Sequence, residues 1–210
     1  MSKSTLLLAV LIIAAAGFII LRYNTANPGQ EKAAQTPPKA ATDTVGNLHQ
    51  WREFSSDTGK FKVLLPTLPQ HVTDMLADPK TREQRKYETF VAAGDNGAAF
   101  MISAISSPNS LNSEDNDETL KSAVSDMMAR NKENKLNKME MGKFREQRAV
   151  DFSLTNGDLL IVGKVFSHNN ILYILSMINK SSSFNPQELD FFINSFHFSD
   201  NGSTPQNGKK

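Results

Sequence analysis

Apolar positions along the chain fall into three regimes. From Thr5 to Leu21 the sequence reads TLLLAVLIIAAAGFIIL, with no charged residue. From Asn24 to Asn47 it reads NTANPGQEKAAQTPPKAATDTVGN, where Val45 is the only large aliphatic side chain. From Leu48 onward apolar and polar residues alternate. The period is near two in most stretches, as in strands, and near 3.6 in two of them, as in helices.

The first regime predicts a membrane helix. Seventeen residues at the helical rise span roughly 25 Å, at the short end of a bilayer core, and a lipid-embedded backbone must satisfy its own hydrogen bonds. Lys3 precedes the run, and Arg22 with Tyr23 follows it as an interfacial stop. Residues 1–22 are read as a transmembrane signal anchor, with a cleaved signal peptide as the alternative. The domain is then expected outside the cytoplasm, in the periplasm of a Gram-negative cell, or secreted after cleavage. Residues 23–47 are read as a flexible linker, because they bury too little apolar surface to offset their ordering entropy. Residues 200–210 are read as a disordered tail.

Residues 48–199 are read as one folded domain. Trp51 to Phe54 forms a short strand, turned by Ser56-Asp57-Thr58-Gly59 into Phe61 to Leu65, which Pro66 and Pro69 stop. Arg85 to Ala93 and Ala98 to Ser106 flank the turn Gly94-Asp95-Asn96-Gly97. The period then changes: Leu120, Ala123, Val124, Met127 and Met128 mark a helix over 116–133, with Asp115 and Glu118 set as a capping box and the Met pair as core filler. Strands follow over Arg145 to Leu154 and Asp158 to Ser167, joined at Asn156-Gly157. His168-Asn169-Asn170 then turns into Ile171 to Ile178, a strand apolar on both faces and so placed mid-sheet.

The last helix is the best signalled. Asn185 is its N-cap, Pro186 its first residue, Phe184 and Leu189 a hydrophobic staple, and Leu189, Phe192 and Ile193 its inward stripe. Phe196 and Phe198 alternate beyond it as a short extended segment. Hairpins, helix, hairpins, helix predict an α+β fold, an antiparallel sheet covered by helices. Strict βαβ alternation, the mark of a parallel nucleotide-binding sheet, is absent.

Trp51-Arg-Glu-Phe54, Gly59-Lys-Phe-Lys-Val-Leu-Leu-Pro66, Pro69, Leu172-Tyr173-Ile-Leu175 and the closing Asn194-Ser195-Phe196 together resemble the PsbP-like family, over about 150 residues. The resemblance implies an α-β-α sandwich whose members act mostly as accessory or binding proteins for larger assemblies. It carries over no functional residue.

Charge and composition narrow the chemistry. Basic and acidic residues number 23 and 22, net +1, a balance that gives no reason to expect a nucleic-acid surface. With no cysteine there is no disulfide, thiolate site or Cys nucleophile. The four histidines, His49, His71, His168 and His197, lack metal-ligand spacing and are read as isolated surface residues. No G-x-S-x-G elbow or S-x-x-K appears. Lys180-Ser-Ser-Ser183 is a polar loop, and Asp57-Thr58-Gly59-Lys60 a hairpin turn. The acidic run Glu114 to Glu118 is read as helix capping, since it lacks the glycine and terminal Glu of a Ca²⁺ loop. Lys80, Arg82, Arg85 and Lys86, diluted by Glu83 and Glu88, are read as a solvated strand edge. No catalytic, cofactor or metal residue is nominated. The expected role is a membrane-tethered, extracytoplasmic accessory or binding module with a protein partner, held to the membrane through residues 5–21. The alternative is an enzyme whose site is assembled from sequence-distant residues.

Overall fold

The computed structural model describes residues 48–77, 82–106 and 116–199. The expected membrane helix, linker, tail and Asp115 cap fall outside these residues. No helix among the described residues is long and apolar enough to cross a membrane.

Among the described residues, ten strands and two α-helices follow in chain order. Strands β1 (Arg52–Ser56), β2 (Phe61–Leu65), β3 (Gln70–Ala77), β4 (Gln84–Ala93) and β5 (Ala99–Ser106) precede helix α1 (Asn116–Arg130). Strands β6 (Asn134–Phe144), β7 (Gln147–Asn156), β8 (Leu159–His168) and β9 (Ile171–Lys180) come next. Helix α2 (Pro186–Ser195) and the two-residue β10 (His197–Phe198) close the domain.

Seven strands form one antiparallel sheet in the order β3-β4-β5-β9-β8-β7-β6, and β1-β2-β10 form a smaller one. As its two apolar faces predict, β9 is the central strand. Tyr173, Leu175 and Met177 enter the larger core, while Leu172 and Ile174 enter a second core under α1. Leu120 and Val124 of α1 are fully buried there, with Ala123, Met127 and Met128 packed against them. The opposite face is covered by α2 and by the small sheet. This second layer is therefore part helix and part strand, where helices alone were expected. Its centre is aromatic: Phe61 stacks on Phe196 at 5.3 Å between centroids, and Tyr173 meets Phe196 edge-on at 5.3 Å. The buried Tyr173 hydroxyl donates to the Gly59 carbonyl at 2.9 Å, tying the central strand to the β1–β2 turn.

Several boundaries differ from the sequence reading, each for a local reason. Helix α1 ends at Arg130 rather than 133, because Asn134 bonds back through Nδ2 to the Met127 carbonyl at 2.9 Å. The strand expected from Arg145 starts at Gln147, since Arg145 and Glu146 take φ of 46° and 67° in the β6–β7 turn. The next hairpin loop is Gly157-Asp158, one residue later than expected, because Asn156 still pairs with Leu159. Asn169 and Asn170, at φ 48° and 63°, do make the expected β8–β9 turn. His168 is not in that turn; it ends β8 and stacks on Phe198 at 3.8 Å.

Strands β3 and β6 were not read from the sequence. Both lie at edges of the large sheet, where neither face needs to be apolar. Their presence corrects the reading of Arg85 and Lys86 as a solvated edge: β4 lies inside the sheet, between β3 and β5.

Candidate functional site

Helix α1 packs on β6, β7 and β8, toward one side of its sheet face. Beside it lies a cleft of about 290 Å³ between the helix flank and strands β4, β5 and β9. Period-two alternation brings Arg85, Tyr87 and Thr89 of β4 and Met101, Ser103 and Ile105 of β5 to this one face, with Leu172 and Ile174 from β9. The helix wall repeats every four residues, through Glu118, Ser122, Asp126 and Arg130. The floor thus mixes apolar and hydroxyl-bearing side chains, and the helix wall is mostly polar. Thr89 and Ser103 hydroxyls lie 3.4 Å apart across the strand pair. At the helix end, Nη1 of Arg130 is buried and has no hydrogen-bond partner among the described residues.

The helix itself is pinned at its start. Arg148 of β7 donates from Nε to Asp117 at 3.0 Å and from Nη2 at 2.5 Å. This bidentate pair holds the Asp117 carboxyl below its usual range and the Arg148 guanidinium above its own. The acidic start of the helix therefore serves a strand contact as well as the dipole, with Glu114 and Asp115 outside the described residues.

On the other face, Glu88 is buried at 4% exposure, not solvated as its sequence neighbours suggested. It accepts from Thr58 Oγ1 at 2.7 Å, and Lys86 Nζ and His71 Nε2 stand 3.1 and 3.5 Å away. The His71 ring stacks on Phe90 at 4.2 Å. This grouping braces the β1–β2 turn against β4. Thr58 gives its proton to the carboxylate rather than to the imidazole. His49 is exposed, and His197 lies 3.5 Å from Arg145 Nη2. Among the described residues no group of three or more His, Asp or Glu converges with metal-binding geometry.

Glu188, in the first turn of α2, is also buried. Asn96 of the β4–β5 turn donates to both of its oxygens, at 3.3 and 3.1 Å. Burial pushes the carboxyl above its usual range, against the hydrogen bonds that pull it down. Asn185 caps the helix as expected, its side chain accepting from the Gln187 amide at 3.0 Å. Ser181–Ser183 form a single 3₁₀ turn before it.

The two edges of the large sheet differ in kind. On β6, Lys135, Lys138 and Lys143 line the strand, and the register breaks at a bulge between Leu136 and Lys138. Lysines and a bulge both discourage strand addition. Strand β3 has neither: its eight residues pair with β4 without a break. It carries exposed Val72 (39%) and Met75 (56%), with Leu68 (87%) just before it. One outward amide is covered locally, where Met75 N–H donates to Asp74 Oδ1 at 2.8 Å.

None of the cleft residues had been nominated from sequence. Strand alternation indicated that Met101, Ser103 and Ile105 share a face, but their meeting with the flank of α1 is set by where the helix packs.

No family model matches this chain, and no curated protein matches it. Among solved structures it is similar to the solution structure of cyanobacterial PsbP (CyanoP) from Synechocystis sp. PCC 6803, at 13% identity and a TM-score of 0.47, over 78% of this chain and 99% of that one. It is also similar to the crystal structure of a protein from Bacteroides thetaiotaomicron VPI-5482, at 14% identity and a TM-score of 0.37, over 73% of this chain and half of that one. The first of these bears the name of the family that the sequence resembles.

Proposed function

We propose that this chain is a non-catalytic binding module, held outside the cytoplasm by residues 5–21 and engaging a protein partner along strand β3. The unguarded β3 edge carries the reading. An eight-residue strand with continuous register, exposed Val72 and Met75 and no lysine presents a row of outward backbone groups. Such an edge pairs readily with an extended segment of another chain, with main-chain hydrogen bonds giving affinity and alternate side chains giving selectivity. The guarded β6 edge supports the same view, since it shows the devices that β3 lacks. The apolar run Thr5 to Leu21 and the polar stretch after it support the tether: a domain on such a leash reaches a membrane-bound assembly without being part of it.

The test is copurification of the full chain from detergent-solubilised membranes, with carbonate washing of the membranes beforehand. A chain retained after the wash, bringing down one defined protein, is the expected result. A full-length chain in the soluble cytosolic fraction overturns the address. Repeated recovery of the chain alone overturns the partner.

A further inference from the structure

We infer that the cleft beside α1 is a separate binding site for a small amphipathic monoanion, a carboxylate head on a short apolar stem, with Arg130 holding the head. Arg130 brings a guanidinium, a cation with donors only, to the end of the cleft. Its Nη1 is buried without a hydrogen-bond partner, and it makes no salt bridge among the described residues. The residue as a whole is half-buried, and an anion in the cleft would supply the acceptor that this nitrogen lacks. The position at the end of α1 favours a cation but leaves this donor unmet.

The rest of the cleft selects what is attached to the anion. Met101, Ile105 and Leu172 on the floor and Met127 on the helix wall give it apolar surface, which a fully hydrated ion would not use. Its volume of about 290 Å³ stands at the small end of ligand sites, so the stem is short. Glu118 and Asp126 on the exposed rim offset Arg85 and Arg130, so the lining is neutral overall. They oppose a second negative charge, so a singly charged carboxylate is favoured over a phosphate monoester.

The test uses the full chain in lipid nanodiscs, with ¹³C-labelled methionine methyl groups and hexanoate, hexylamine, hexanol and hexyl phosphate as probes. Hexanoate is expected to shift the Met101 and Met127 methyl signals saturably. Arg130→Met is expected to weaken hexanoate by tenfold or more, with Arg130→Lys intermediate. Equal shifts from hexanol or hexylamine overturn the anion assignment, and tighter binding of hexyl phosphate overturns the single-charge preference. Unchanged hexanoate binding in Arg130→Met removes that residue from the role. The probe series on the unaltered protein stands even where the variant fails to fold. A negative result leaves the β3 reading untouched, because that reading is scored by copurification.

Discussion

Gly163 sits in the middle of β8, paired with Phe152 of β7 on one side and Ser176 of β9 on the other. A Cβ placed there would stand 2.1 Å from the Leu175 carbonyl oxygen, 2.9 Å from Ser176 Cα and 3.0 Å from Phe152 Cζ. Ordinary contact begins near 3.4 Å, so the Leu175 backbone would have to give by about 1.3 Å (3.4 − 2.1). The Phe152 ring can swing aside, but the backbone of the central strand cannot, since β9 is hydrogen-bonded on both edges. Gly163→Ala is therefore an overpacking change at its severe end, about 3 kcal/mol or more. For a domain of this size that lowers Tm by roughly 6–12 °C. The control is Gly97→Ala, where φ is 81° and no atom lies within 4 Å of the added carbon. Only the left-handed conformation is penalised there, at about 1–2 kcal/mol. Urea denaturation of the purified variants, followed by the fluorescence of Trp51, reads both. A Gly163→Ala variant within about 0.5 kcal/mol of the parent, the range of an ordinary surface substitution, would refute the close approach on which this reasoning rests.

Three further outcomes are expected. Burial raises the Glu188 carboxyl in the folded state, so the native form holds its proton longer than the unfolded form and stability declines as pH rises past the usual value of 4.5. Glu188→Gln keeps an acceptor for Asn96 and removes that decline; urea midpoints from pH 4 to 7 should show the variant gaining on the parent as pH rises, and a constant difference would contradict the assignment. Tyr173→Phe strips the donor from the buried Gly59 carbonyl and should cost about 1–3 kcal/mol in the same assay. Glu146→Gly relieves a φ of 67° in the β6–β7 turn and should raise stability by about 1 kcal/mol; a loss would mean that the side chain contributes more than the strain removes.

What the sequence disclosed follows from how strongly each residue's surroundings constrain it. Ile171 to Ile178 had to lie mid-sheet because both faces are apolar, and β9 does. Helix α2 was legible to its cap because Asn185 and Pro186 are chemically specific to that position. Strand β3 was hidden because a strand at an edge, exposed on both faces, needs no alternation; QHVTDMLA reads as loop until β4 is beside it. Missing β3 made β4 look like the edge, and the burial of Glu88 was missed with it. Strand β6 was hidden for a related reason, its lysines being the signature of a guarded edge rather than of a loop. The cleft lay furthest from view. Its residues come from three strands and one helix, and nothing in their spacing says that α1 settles over β6 to β8.

A photo-reactive amino acid at Met75 on β3, compared with one at Met139 on β6, probes the proposed binding edge in intact cells. Met75 and Met139 are both exposed, on opposite edges of one sheet. Irradiation should give a discrete adduct with another protein from position 75 and none from 139. Adducts from 139 alone, or from neither position, would contradict an edge built for a partner strand.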